Sequence, residues 1–348
     1  VTRAVAITHT AAVSAFGVGG RGLGQALVDG RALPGLPAEV PLANPRARKM
    51  MSRAAYLAAR CLADLLREAA WSDDRDRIGY YLGVGASGGS LDELMAVIDG
   101  SLVDGAFSLA RFGDRGLAAC NPLLAFQLMN NFTLCHGAIL EGLGGPNSAV
   151  FSRGAGTIAA LAEAVHAVAS GECDRAIAGA ADAPTHPTTI AELTREGFVA
   201  RGLVACDAAA LVALVASGTS RPRGGVTLRV ATIVEGCGIA SGRDRPIADA
   251  ITEAVDRTGL ADEVDLVVLA PWGPPAADAL GSWVARRFRS AVVVSTRALG
   301  DSLAASAALA VIAAVDLLAD TAGRRCALVL VLGVDGDPGA VVLSRGAG

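Results

Sequence analysis

Residues 145–180 read GPNSAVFSRGAGTIAALAEAVHAVASGECDRAIAGA. This stretch reads as a strand over 148–151, a tight turn (Ser152, Arg153, Gly154), a helix of small residues over 155–170 and a second short strand over 176–180. A strand that passes through a sharp turn into a helix N-terminus can hold up a nucleophile, because the orphan N–H groups of the first helical turn stabilise an anion there. At the tip of this turn, however, stands Gly154, which has no side chain. The scaffold for covalent catalysis is expected here without its reacting atom.

Outward from this unit, strand and helix patterns alternate along the chain. Strands are expected over 4–9, 78–82, 209–216, 226–235, 266–270, 291–295, 327–333 and 340–344. Helices are expected over 23–29, 52–69, 91–99, 123–135, 246–258, 276–287 and 302–319. Such alternation predicts an α/β protein with mostly parallel sheets covered by helices. The pattern divides into two similar halves, 1–207 and 208–348, packed as one structural unit. For 348 residues, with 52% apolar and few aromatic, a duplicated α/β body suits the length.

The central stretch carries Gly145-Pro146 before the strand, Gly171-Glu172-Cys173-Asp174 after the helix and Ala178-Gly179-Ala180 in the next strand. The opening RAVAITHTAAVSAFG leads to the helical LGQALVDGRA. Arg48-Lys49-Met50 precedes a helix, and Asn121-Pro122 leads into LLAFQLMNNFTLCHG. In this order the features resemble the β-ketoacyl synthases, the condensing enzymes of fatty-acid and polyketide synthesis. The resemblance covers nearly the whole chain. It implies the thiolase-type fold, an αβαβα five-layer sandwich of duplicated halves, and it puts the family's nucleophilic Cys position on Gly154.

The second half tests the resemblance separately. The family carries two catalytic His, in "H-G-T-G/S-T" and "K-x-x-x-G-H". The four histidines here are His9, His136, His166 and His186, and none lies later in the chain. The loop of the first motif reads Leu269-Ala270-Pro271-Trp272-Gly273, with Ala270 on the His position. The second reads Ser295 to Ser302, with Arg297 on the Lys position and Ser302 on the His position. The family's "F-G-F-G-G" loop becomes Leu332-Gly333-Val334-Asp335-Gly336. All three catalytic positions are replaced, so the chain alone is not expected to condense acyl groups.

Composition narrows the partners. A net charge of −4 with scattered basic residues argues against a nucleic-acid surface. The longest apolar stretch, 303–315, reads as too short to span a membrane and as a buried helix. The N-terminus has no long apolar core of a secretion signal. Seven cysteines with no C-x-x-C pair argue against a disulfide framework or zinc knuckle and for cytoplasmic free thiols. No metal and no cofactor are expected.

Three local signals have plainer readings. Gly83-Val84-Gly85-Ala86-Ser87-Gly88 spells G-x-G-x-x-G, but a dinucleotide site needs an immediate helix and an acidic residue ending the next strand. Cys135 and His136 are neighbours on a helix and point about 100° apart. Ser87 and Ser152 have no His in a recognisable partner motif, so a hydrolase triad has no support. Arg153 is either a solvated turn residue or a charge that fills the vacated site.

A condensing-enzyme body without catalytic groups resembles the chain-length factors of type II polyketide synthases. The resemblance implies a non-catalytic subunit that forms a heterodimer with an active ketosynthase, served by acyl carrier protein through the complex. It implies a dimer strand at Ser148, Ala149, Val150 and Phe151. Side chains that set the depth of the acyl tunnel are then sought among Phe126, Met129, Asn130, Phe132 and Thr133. Taken singly, each of these five reads equally well as helix core. Many chain-length factors have Gln at the nucleophile position, where this chain has Gly154. Its length points to the highly reducing, polyene-type branch. The alternatives are an acyltransferase with chemistry relocated to Ser302 or Cys135, and a non-enzymatic homodimer that binds acyl chains or carrier protein. Compared with typical members the chain looks trimmed over 184–208 and 240–248, segments that form much of the entrance rim.

Overall fold

The computed structural model describes residues 3–346 apart from 32, 34, 37–39, 43, 87, 218–230, 261–262 and 322. Ser87 and the start of the strand expected at 226–235 lie outside the described residues.

Among the described residues the long strands form two five-stranded groups. The first contains β1 (Val5–Ser14), β2 (Ile78–Val84), β3 (Asn147–Phe151), β4 (Arg175–Asp182) and β5 (Ala208–Ala216), in the spatial order β3-β2-β4-β5-β1. The second contains β6 (Thr232–Ile239), β7 (Leu266–Pro271), β8 (Val292–Ser295), β9 (Cys326–Leu332) and β10 (Pro338–Arg345), in the order β8-β7-β9-β10-β6. In each group two pairings are parallel and two antiparallel, in the same positions, so that four strands point one way and one the other. The second group thus repeats the topology of the first. Three residue pairs between β1 and β6, from Val5↔Val234 to Ile7↔Thr232, join them edge to edge. The strand that opens the second half in the sequence division at 207/208 is β5, and it lies in the first sheet between β4 and β1.

Helices complete five layers. On one outside lie α2 (Arg53–Ala69) and α5 (Phe132–Glu141), and on the other α8 (Ile247–Asp256) and α9 (Pro274–Arg287). Between the sheets lie α6 (Gly156–Ser170) and α10 (Ser306–Asp320), each touching both. This is the expected αβαβα architecture. With both faces covered, β5 reads as an unbroken apolar run (AAALVALVA) rather than an alternating one. A sandwiched helix must be apolar all round, and α10 is: Ala307 to Val315 are all buried. Together with the short turn before it, the helical stretch Leu303–Asp320 is 18 residues long, the length of the helix expected over 302–319 but longer than the apolar run 303–315 that reads as too short to span a membrane. It is apolar enough to cross a membrane by length and composition, yet 89% of it is buried in the protein. Its one buried charge position, Asp316, accepts hydrogen bonds from the Gly22 and Gly24 N–H groups at 2.8 and 2.9 Å. It thereby caps the short helix α1 (Leu23–Val28).

One expected helix is broken. The stretch read as 123–135 forms α4 (Leu124–Leu128), an extended Met129 (φ −87°, ψ 119°) and then α5. Asn130 and Asn131, poor helix formers that favour turns, follow the break.

Candidate functional site

The decisive turn forms as expected. β3 runs out at Phe151, the Ser152 N–H donates to Val84 O at 3.2 Å, and α6 starts four residues later. No side chain caps α6. Its first turn lies tight against β2, because a Cβ at Gly83 would stand 2.7 Å from the Thr157 nitrogen.

The tip is closed. A Cβ built on Gly154 would stand 2.5 Å from Gly333 Cα and 2.9 Å from Asp335 Oδ1, and the backbone atom cannot give way as a flexible side-chain end would. Gly333 follows β9 in the loop that matches the family's Gly-rich C-terminal motif. Two short side chains lock the contact: the Ser152 hydroxyl donates to Asp335 Oδ2 at 2.8 Å, and the Gly154 N–H donates to Ser152 Oγ at 3.1 Å. The nucleophile position therefore lacks a side chain and has no room for one.

Beside the tip is a cavity of about 10 Å³, bordered by Arg153, Ala270, Trp272, Asp301, Leu303 and Ser306 among others. A space of that size holds at most one water. Arg153 does line the vacated site, but its guanidinium turns to helix α7 (Pro187–Arg195) and the residue after it. It pairs with Glu196 at 2.8 Å and approaches Glu192 at 3.9 Å. Ala270 is buried near the end of β7. Arg297 is exposed and does not border the cavity.

Ser302 is fully buried, its hydroxyl has no partner, and its N–H donates to Ser306 Oγ at 3.0 Å. The side chain that reaches the cavity from this segment is Asp301, which the sequence reading missed. A signal was there: Asp301 directly follows Gly300, as the family's His directly follows its Gly. Asp301 accepts from the Val204 N–H at 2.7 Å, and burial pushes its carboxyl up to about 7. Asp182, at the end of β4, is also pushed up to about 7 by burial. It accepts from the Ala183 and Ala304 N–H groups at 2.8 and 3.2 Å. None of the four histidines borders this cavity. Of the two acids only Asp301 borders the cavity, beside the paired Arg153 and the Ser306 hydroxyl, and no imidazole does.

The Gly-rich run at 83–88 is explained by packing. Gly83 meets the start of α6, the Asp182 carboxylate lies where a Cβ of Gly85 would go, and the His186 ring covers Gly88. No space is left there for a pyrophosphate. Cys135 is half-buried, and burial raises its thiol.

The five tunnel candidates collect where α4 breaks into α5. Phe126 (37% exposed) meets Phe132 edge-on at 4.9 Å between ring centroids, and Phe132 in turn leans on His136 at 5.4 Å. Met129 is exposed and Asn130 half-buried, whereas Thr133 is buried. On β3, Ser148, Ala149 and Val150 are half-buried and Phe151 is 56% exposed. β3 pairs only with β2 and leaves an open edge. Thirteen of the nineteen large apolar side chains exposed among the described residues lie from Leu91 to Phe151. A concentration of that kind marks an interaction face.

The family model for the β-ketoacyl synthase N-terminal domain matches residues 33–228. This chain belongs to the β-ketoacyl synthase family. The match runs through Gly154 and the closed turn around it. No match to a curated protein sequence was found. Three solved structures share the fold. "The ishigamide ketosynthase/chain length factor" is 17% identical with a TM-score of 0.79, covering 100% of each chain. AntDE:AntF, a "type II PKS acyl-carrier protein in complex with its ketosynthase bound to the hexaketide", is 14% identical with a TM-score of 0.75, covering 99% of each chain. A β-ketoacyl synthase from Burkholderia phymatum STM815 is 19% identical with a TM-score of 0.74, covering 100% of each chain.

Proposed function

We propose that this chain is the non-catalytic chain-length factor of a type II polyketide synthase of the highly reducing, polyene type, working in the cytoplasm as half of a heterodimer with an active ketosynthase. The observation that carries the reading is the contact of Gly154 with Gly333. It closes the expected nucleophile position by backbone, in a chain that still matches the family model over residues 33–228. The open edge of β3 and the apolar face around it support a permanent partner, because an unpaired edge beside exposed apolar groups is a liability in a free monomer. Ser148, Ala149, Val150 and Phe151 form the pairing strand. Phe126, Met129, Asn130, Phe132 and Thr133 form the wall that limits the partner's acyl tunnel, and carrier protein reaches the complex through the ketosynthase.

Relocated catalysis has little to work with. Ser302 is sealed in without a base, and the Cys135 thiol is disfavoured as a thiolate. The test is to express the chain alone and together with a ketosynthase encoded beside it. Alone, it is expected to be inert and poorly soluble or homodimeric. Together, the two are expected to elute as a heterodimer that extends malonyl units. Full activity and unchanged product length from the ketosynthase without this chain would overturn the reading, as would an acyl thioester on this polypeptide.

A further inference from the structure

Far along the chain from the closed turn, the edge of β1 has a gap. Among the described residues, β6 pairs on this edge as far as Ile7, and the two-residue strand Gly17–Val18 pairs from Val13. A bulge between Ile7 and His9 breaks the register on the opposite edge, against β5. The gap opens into a cavity of about 310 Å³ lined by His9, Thr10, Gly20, Arg21, Glu68 and Asp316, together with Gly19. A volume near 300 Å³ is within the range of small-ligand sites.

His9 is 3% exposed, and its Nε2 meets no partner. Its tautomer follows from its neighbour. With the Thr8 hydroxyl proton assigned to Ala213 O at 3.4 Å, the Thr8 lone pairs accept from His9 Nδ1–H at 3.0 Å, and this assignment sets the tautomer. Nε2 is then a bare lone pair, an acceptor that needs a donor. Buried polar groups left this way are uncommon and call for an unseen partner.

The charges at the rim narrow that partner. Arg21 and Glu68 are exposed, and among the described residues neither is in an ion pair. The Asp316 carboxylate is already engaged by the Gly22 and Gly24 N–H groups. A metal does not suit the site, since no three metal-ligating side chains converge among the described residues. A neutral polyol would leave both rim charges without counter-charges. We propose that this cavity binds a small zwitterion with an ammonium and a carboxylate on one compact body, a free amino acid. The ammonium donates to His9 Nε2 and faces Glu68, and the carboxylate takes the Arg21 guanidinium.

The test is calorimetry and saturation-transfer NMR on the full chain with glycine, alanine and serine, against acetate, ethylamine and glycerol. The amino acids are expected to bind, with the three fragments at least about tenfold weaker, since each forgoes one charge-assisted contact. Arg21→Ala and Glu68→Ala, both at exposed positions, are each expected to weaken binding about tenfold. With 15N-labelled histidine, the His9 Nε2 resonance is expected to shift on addition of ligand. No binding of any amino acid at on the order of 10 mM would overturn the proposal. So would fragments that bind as well as the amino acids, variants that bind as the parent does, or an unmoved His9 resonance.

Discussion

The Ser152 hydroxyl reaches the Asp335 carboxylate at 2.8 Å and pins the turn after β3 to the turn after β9. One residue comes from each half of the chain. The bond holds together the two backbones that meet at Gly154 and Gly333, where neither residue has space for a Cβ. The closure of this turn is therefore a matter of packing across the two halves as much as of residue type.

Restoring the nucleophile should fail for that reason. Gly154→Cys is expected to destabilise the protein by about 1–3 kcal/mol, the usual cost of forcing atoms into a filled site. It is expected to give no acyl adduct and no condensation. Urea unfolding and intact mass after incubation with an acyl thioester check both. A stable variant that becomes acylated would show that the turn can open.

The fold was legible from local patterns, because the strand–turn–helix unit at 145–180 and the fully apolar run of β5 each have few alternatives. The side-chain-free tip of the turn was legible too, as a glycine. Its closure was not, because the atom that blocks it is 179 residues away at Gly333 and no local pattern reports such a contact. Asp301 was missed for a related reason. The sequence reading anchored the segment on Arg297, which is exposed, while the turn at Gly300 (φ +78°) sets which side chain enters the cavity. The break at Met129 had one local signal, the Asn130-Asn131 pair, which the apolar helical pattern before and after it outweighed.

Acid should stabilise this protein across an unusual range. Asp182 and Asp301, ordinarily near 3.8, are pushed up to about 7 in the fold, and Asp316 is raised as well. Between about pH 4 and 7 the folded state keeps protons that the unfolded chain has released, so stability falls as pH rises through this window and levels off above it. Burial of His9 and His136 lowers both imidazoles and opposes this trend below about pH 6.5, where the unfolded chain takes up protons that the fold does not. Asp73, Asp174 and Glu253 are lowered by arginine partners at the surface, act at lower pH and contribute little. Thermal unfolding from pH 4.5 to 8 is expected to show the decline. Asp301→Asn, which keeps an acceptor for the Val204 N–H, is expected to flatten part of it. A stability that rises through this window would contradict the burial of both acids.

The open edge of β3 gives a separate test of association. Phe151 and Ile139 are 56% and 73% exposed, so Phe151→Asp and Ile139→Asp should change the stability of the isolated chain by no more than about 0.5 kcal/mol. If this face holds the ketosynthase, each should weaken the heterodimer at least about tenfold, because a charge would be buried without a partner. Size-exclusion chromatography of co-expressed pairs reads this out. Complexes that survive both changes would place the interface elsewhere.

The tunnel candidates separate by exposure. Phe126 and Met129 face outward at the break between α4 and α5, whereas Thr133 is 1% exposed. Enlarging Thr133 to Leu should therefore act first on stability, at about 1–3 kcal/mol, and only through that on products. Phe126→Ala gives up the edge-on contact with Phe132, worth about 0.5–1.5 kcal/mol, and leaves space on the surface where the partner's acyl chain would end. Phe126→Ala and Met129→Ala are expected to lengthen the product by whole extension units at near-normal turnover, measured by mass spectrometry of released chains. If Phe126, Met129, Asn130 and Phe132 can each be truncated without changing product length while the heterodimer stays active, this corner does not end the tunnel, and chain length is set on the ketosynthase side.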